Sequence, residues 1–441
     1  MARPISFFTT AKDMPVDKKI EALVSRLIIV KPDEFKSLAW SFLYFFALLA
    51  GYFIIRPVRE AMGIMGGVQN LPWLFSGTFI AMLLLSPIFA WAVSRFPKRV
   101  FLPGVYIFFI LNLVGFWGLL SFGETRVWGA RAFFIWTSTF NLFVVSVFWS
   151  FMVDIFTKAQ AKRLFGFIAA GGTLGTIAGA GLTATLAEIT GEQNLLLVSA
   201  LFLAFAMFCI HQLLPHAGRA RPNKVIGGHF YAGFRDIIKN PYLLNICLFF
   251  VLFTLTATFL YFQQAEIISK VFETSAERTR IFAIMDLSVS ILTVLTQTLV
   301  TPRFVKRFGI RPTVMFLPVV TMLGFVLFAF FPTLAMLVLF QVIRRASDYA
   351  ITRPGREMLF SIVSEEQKYK AKNVIDTVVY RGGDAASGWI YAAIASGLGL
   401  GVPAIAAIAA PIAGVWAGLG WLLGRTYDRN KDEGEPDHEK T

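Results

Sequence analysis

Residues 195–250 read LLLVSALFLAFAMFCIHQLLPHAGRARPNKVIGGHFYAGFRDIIKNPYLLNICLFF. The first stretch, Leu195–Leu214, is apolar over about 20 residues, the number that carries an α-helix across a bilayer core. From Pro215 to Asn240 the chain turns polar and basic, with Arg219, Arg221, Lys224, Arg235 and Lys239, and at Pro241 a second long apolar run begins. Upstream of this break lie five further apolar runs, Leu38–Ile55, Leu71–Val93, Val100–Ser121, Ala130–Phe156 and Leu164–Ala187. Downstream the runs are Pro241–Glu266, Ile281–Pro302, Thr313–Phe331, Thr333–Arg353, Asn373–Gly397 and Val402–Leu423. The pattern predicts an all-α membrane protein of about 12 transmembrane helices, arranged as six, a polar linker and six. It divides the chain into a leader (1–37), a first half (38–214), a cytoplasmic linker (215–240), a second half (241–424) and a tail (425–441).

Composition agrees. The chain has 441 residues, 56% hydrophobic and 15% charged, against roughly a quarter charged in soluble domains. Its net charge of +14 would suggest nucleic acid in a soluble protein. Here the cations sit in short loops between apolar runs, as the positive-inside rule requires, so nucleic acid is not expected as a partner. The cation-rich loops alternate: the leader, Arg95–Arg99, Lys158–Arg163, the linker, Arg303–Arg311, Glu365–Lys372 and the tail. Both termini are therefore expected in the cytoplasm, with the chain in a bacterial inner membrane as a monomer. Within the leader, Ile20, Leu23, Val24, Leu27 and Ile28 have helical spacing and predict a helix on the membrane surface. Two cysteines and four histidines without ligand spacing point to no metal, cofactor or disulfide framework.

The two halves repeat one another weakly. The second span ends in Arg95-Phe96-Pro97-Lys98-Arg99 and the eighth in Arg303-Phe304-Val305-Lys306-Arg307, with the same Arg, Phe and Lys-Arg spacing. The fourth and tenth spans each exit through a polar stretch that a Gly-Gly pair follows, Gly171-Gly172 and Gly382-Gly383. Two six-helix halves related by an axis along the membrane normal form one of the known transporter architectures.

Ionisable residues in a bilayer core are costly and are functional candidates by default. Four groups stand out. Arg56, Arg59 and Glu60 end the first span, where spacings of three and four put Arg56 on one face with both others. Arg344, Arg345 and Asp348 fall near mid-membrane in the tenth span, with Arg344 and Asp348 spaced to pair; a guanidinium there suits phosphate or carboxylate. Asp376, Arg381 and Asp384 in the eleventh span would form a gating salt bridge or a structural lock. Asp154 and Asp286 are lone acids: the first is expected to latch onto the basic loops beside Lys158, Lys162 and Arg163, and the second to lie near the outer end of its span. The glycines at 171, 175 and 179 imitate a phosphate loop but follow no strand and lack Gly-Lys-Ser/Thr; their spacing fits close helix packing. No zincin, carboxylate-pair or serine-triad pattern is present, so an enzyme is not expected.

The stretch YFIIRPVRE (Tyr52–Glu60) resembles the first helix of the ATP/ADP translocases, and FWSFMVDIFTKAQAKRLFGFIAAGGTLGTIAG (Phe148–Gly179) resembles their fourth helix and its exit. The likeness covers about the first 180 residues well and the remainder in layout. It implies a twelve-helix major facilitator fold and nucleotide exchange by an antiporter, with Arg59 at the position of the family's helix-one lysine and Glu60 at that of the following acid. Arginine stands for that lysine and Pro57 for a threonine. Thr137 and Asn141 occupy the region where the family carries a glutamate.

Together these readings predict a transporter that moves an anionic small molecule, nucleotide among the candidates, by alternating access. Arg56, Arg59, Arg344, Arg345 and Arg381 would bind substrate. Glu60, Asp154, Asp286, Asp348, Asp376 and Asp384 would serve as counter-ions, gates or coupling groups. The alternatives are a proton-coupled symporter or exporter of another organic anion, a lipid flippase, or an integral-membrane enzyme.

Overall fold

The computed structural model describes residues 30–122, 126–216, 237–364, 367, 371–372 and 374–434. The surface helix expected in the leader, most of the linker and the end of the tail lie outside these residues. The first half supplies α1 (Pro32–Met65), α2 (Leu71–Arg95), α3 (Lys98–Ser121), α4 (Arg126–Ile155), α5 (Lys158–Thr190) and α6 (Asn194–Leu213). The second supplies α7 (Pro241–Val271), α8 (Ser275–Leu299), α9 (Ile310–Phe330), α10 (334–359), α11 (374–397) and α12 (Val402–Gly434), with a short basic helix, Thr301–Phe308, between α8 and α9.

Ten of these helices are unbroken and apolar enough to cross a membrane. The other two carry charges and wide π-helical turns: Asp348–Thr352 in α10, and Ile375–Val379 and Ala393–Gly397 in α11. The fold is the all-α, twelve-span architecture that the apolar runs predict.

Several helices outrun their apolar cores. α1 begins at Pro32, where the Glu34 carboxylate accepts from the Lys31 N–H (3.1 Å), and it continues through Pro57 to Met65 rather than stopping at Ile55. It ends where Gly67 takes φ +89°, a conformation that favours glycine. α8 begins at Ser275, not Ile281, because Thr274 and Glu277 form a reciprocal capping box (3.2 and 3.0 Å). Asp286 therefore lies near the middle of its helix and not at the outer end.

The glycines of α5 have a packing role, as their spacing suggests. A Cβ added at Gly171, Gly175 or Gly179 would overlap the α1 backbone carbonyls of Phe42, Phe46 and Ala50. α1 and α5 thus meet backbone to backbone, the contact that small residues four apart permit. Thr183 and Ser199 donate to the Ile54 and Gly51 carbonyls (3.2 and 2.9 Å) and tie α5 and α6 to the same helix.

The apolar cores differ between halves. One continuous cluster runs the length of the first half, from Leu38 to Leu213. The second half has two. One lies towards the α7–α8 connection and also takes in Ile64, Leu71, Leu74 and Phe134 of the first half. The other lies at the opposite end, around Phe249, Leu317, Leu359 and Trp416.

Candidate functional site

The gap between those two clusters is where the arginines sit. A chamber of about 580 Å³ opens between the halves at this level. The first half lines it with Tyr52, Phe53, Arg56, Arg59 and Glu60 of α1, Ser138 and Asn141 of α4, and Thr173 and Thr176 of α5. The second half contributes Ser290, Thr293 and Gln297 of α8, Arg345, Tyr349 and Arg353 of α10, and Arg381 of α11. A smaller chamber of about 210 Å³ shares Arg56, Glu60, Arg345, Tyr349 and Arg353 and adds Arg344, Asp286, Asp348 and Tyr261. Together the two are lined by six arginines and three acids.

α1 delivers its charges as one helical face, but their partners come from other helices. Arg56 Nη1 donates to Asp286 Oδ1 of α8 (3.0 Å), and Arg345 Nη2 donates to the same oxygen (2.7 Å). Asp286 is 3% exposed, and its Oδ2 has no hydrogen-bond partner among the described residues. It is neither a lone acid nor an outer one: it joins an arginine of each half. Glu60 does not pair with Arg56 as helical spacing suggests. It accepts from its neighbour Arg59 (2.6 Å) and from the Tyr261 hydroxyl of α7 (2.5 Å). Arg59 is further held by the Phe134 carbonyl (3.3 Å) and lies 3.8 Å from that ring's centre.

The tenth span also departs from its spacing. Arg344 and Asp348 form no ion pair. The π turn that starts at Asp348 widens the helix by one residue, so the Arg353 N–H returns to the Asp348 carbonyl. The same turn brings the Arg353 and Arg356 guanidiniums to the Asp348 carboxylate (3.7 and 3.4 Å). Arg344, 5% exposed, lies over the Phe253 ring (5.4 Å), and its Nε and Nη2 have no hydrogen-bond partner among the described residues. The carbonyls freed by the π turn are met from α8 and its end: Gln297 donates to the Tyr349 oxygen (3.1 Å) and Thr301 to that of Ala350 (2.9 Å).

In α11, Arg381 lines the larger chamber and lies 3.6 Å from Asp384, towards which Thr258 of α7 donates (3.5 Å). Asp376 is exposed on its π turn and lines neither chamber. Asp154 is also remote from the chambers. It pairs with Lys98 at the start of α3, while Arg163 pairs with Glu34 (2.8 Å). Among the lining groups that the sequence did not single out are one arginine, Arg353, and two tyrosines beside the charges, Tyr349 and Tyr261. The density of arginine in one span, at 344, 345, 353 and 356, is the signal that would have marked the first.

Besides the Arg56–Asp286 bridge at the chamber, side-chain contacts between the halves among the described residues gather at one end. At the end holding the α1–α2 and α7–α8 connections, Arg280 bridges to Glu188 (2.9 Å), Trp73 meets Trp389 edge to face (4.8 Å), and the Trp389 indole donates to Ser76 (3.0 Å). Phe75 packs on Tyr261 and Phe262. At the other end the described ion pairs stay within a half: Lys98–Asp154 and Arg163–Glu34 in the first, Arg311–Asp428 (2.5 Å) and Lys372–Glu357 (2.5 Å) in the second. The larger chamber extends towards that end, past Phe45, Ala169 and Gln297.

This arrangement of two helical bundles about a polar central chamber is that of a membrane carrier. The major facilitator superfamily model matches residues 41–347, and the chain belongs to that superfamily. Among solved structures the fold resembles the nucleoside transporter NupG (TM-score 0.61, 15% identity, 91% of this chain and 99% of that one). It also resembles the peptide transporter PepTSo (0.63, 12%, 90% and 98%) and a bacterial homologue of the human lysosomal transporter Spinster, in an inward-facing, unoccupied conformation (0.59, 15%, 91% and 99%). A comparison with curated protein sequences finds no match. The chain is thus a multi-pass membrane protein of a secondary transporter family, and its nearest functional expectation is transport rather than catalysis.

Proposed function

We propose that this protein carries an organic anion across the membrane by alternating access, with the two adjoining chambers between its halves, lined together by six arginines, as the substrate site. One observation carries this reading: six arginines against three acids in two adjoining chambers between the halves. A surplus of fixed positive charge inside a membrane is costly unless an anion compensates it. Arginine keeps its charge there and offers a planar fork to phosphate or carboxylate. Arg56, Arg59, Arg344, Arg345 and Arg381 would hold the anion, together with Arg353. Glu60, Asp286, Asp348 and Asp384 would take up the guanidiniums when it leaves. Asp154 would act at the loop end as a latch, and Asp376 has no place at the chamber.

The two bundles, 38–214 and 241–424, would rock about this site as a monomer. Both termini would face the cytoplasm of a bacterial inner membrane, as the alternating basic loops support. In that orientation the closed end is the outer one and the chamber faces the cytoplasm.

Nucleotide exchange is the finer reading. Its support is the likeness of Tyr52–Glu60 and Phe148–Gly179 to the ATP/ADP translocases, and a chamber that sets Tyr52, Phe53 and Tyr349 beside the arginines. The test is uptake of labelled ATP into proteoliposomes preloaded with ADP, against empty ones. Uptake that requires internal ADP is expected. No uptake in either, by folded protein, removes nucleotide and leaves other organic anions. Uptake into empty vesicles driven by a pH gradient would instead establish proton-coupled symport.

A further inference from the structure

Among the described residues, Asp286 is the one acid in the chamber region that arginines of both halves share. Arg56 on α1 and Arg345 on α10 converge on its single oxygen Oδ1, at 3.0 and 2.7 Å. Both arginines also line the larger chamber, whereas Asp286 lines only the smaller one behind them. The carboxylate thus meets the two guanidiniums from the smaller chamber, which both arginines also line, while both arginines face the larger chamber as well. Two like charges from opposite halves are held together by one negative charge, which is buried and has a second oxygen with no hydrogen-bond partner among the described residues.

We propose that Asp286 is a resident anion that competes with the substrate for Arg56 and Arg345, and so sets how tightly the carrier holds its load. This rests on the reading of the chamber as an anion site. An arriving phosphate or carboxylate meets two arginines already brought together across the interface. It must share them with Asp286, at a distance where like charges repel strongly in a poorly solvated site. When the anion leaves, Asp286 reclaims both guanidiniums, so they are not left bare inside the membrane. A carrier needs such a limit, because a site that bound its anion with all six arginines uncontested would release it slowly. Asp286 is thus a positioning and affinity-setting residue rather than a binding one.

The experiment measures binding of inorganic pyrophosphate, a polyanion without an organic part, to purified protein in detergent by titration calorimetry. Asp286→Asn keeps the shape and removes the charge. It is expected to bind pyrophosphate about tenfold more tightly than the wild type, while in exchange assays both KM and kcat fall. Asp286→Glu keeps the charge and should bind as the wild type does, and Arg345→Gln should bind more weakly. A merely structural acid would give unchanged or weaker binding in Asp286→Asn, with kcat falling alone. That result, alongside weaker binding in Arg345→Gln, overturns the competitor role and leaves the anion site standing. Absence of binding by the wild type and every variant overturns both. If Asp286→Asn does not fold, the charge-balanced pair Arg345→Gln/Asp286→Asn is compared with Arg345→Gln alone. Tighter binding by the pair supports the proposal, and equal or weaker binding overturns it.

Discussion

The two halves are built from the same number of helices but are not equally solid. In the first, one apolar cluster runs from end to end, and α1 and α5 touch backbone to backbone through Gly171, Gly175 and Gly179. In the second, the core is cut into two clusters, and the level between them is occupied by Arg344, Arg345, Arg353, Arg356, Asp348 and Asp384. Helical irregularity follows the same division. The π turns among the described residues lie in α10 and α11; those at Asp348–Thr352 and Ile375–Val379 adjoin these charges, and the third, Ala393–Gly397, lies at the far end of α11. π turns commonly mark functional positions, because they re-aim side chains at the cost of regular hydrogen bonding. The difference teaches that a carrier of two bundles can concentrate packing in one half and most of its chamber charge in the other.

The sharpest way to break this comparison is Arg344→Ala. Its guanidinium is buried, with two nitrogens that lack hydrogen-bond partners among the described residues. Transport should fall by about 100-fold, the worth of a desolvated charge-assisted contact, while thermal stability in detergent holds or rises because an uncompensated charge is gone. Full transport by this variant would remove Arg344 from the site. Next in size is Gly175→Ala, whose methyl would overlap the Phe46 carbonyl in the tightly packed half. It should destabilise by about 2–3 kcal/mol, read as a lower unfolding temperature. The matching change in the charged half, Gly383→Ala, meets the side chain of Thr254 and no backbone, the hydroxyl most closely and the Cβ at 3.3 Å, so a small side-chain shift can relieve it. Its cost should stay below about 1 kcal/mol; equal costs at the two glycines would show that the halves are equally rigid. The smallest effect is expected from Arg280→Gln at the closed end. Both partners of the Arg280–Glu188 bridge are more than 40% exposed, so its loss is worth less than about 1 kcal/mol. Labelling of a cysteine placed at that end should rise by less than about fivefold.

Much of this was legible in the sequence, and the limit is physical. Helix count followed from apolar length, and the α1–α5 contact from glycines four apart. The arginines that face the chamber were recognisable because charges at bilayer depth have few innocent explanations. Their partners were not. Spacing along a helix names neighbours on one face, and so it suggested Arg56 with Glu60 and Arg344 with Asp348. In the fold Arg56 reaches Asp286, 230 positions away in sequence, because helix–helix geometry decides which charges meet. Arg353 was overlooked because α-helical periodicity sets it apart from Asp348, and only the extra residue of a π turn brings the two together. The starts of α1 and α8 were misplaced for another reason: their first turns are polar and capped, which hydropathy alone does not register.

The contact between Trp73 and Trp389 has a spectroscopic consequence. Indole emission depends on its surroundings, and here one indole sits edge-on to another while donating a hydrogen bond to Ser76. Rocking that parted the halves at this end would separate the rings and break the hydrogen bond to Ser76. If the proposed alternating access opens this end, the tryptophan pair would report it optically, and a difference spectrum against Trp389→Phe would isolate that signal from the remaining tryptophans without any attached dye.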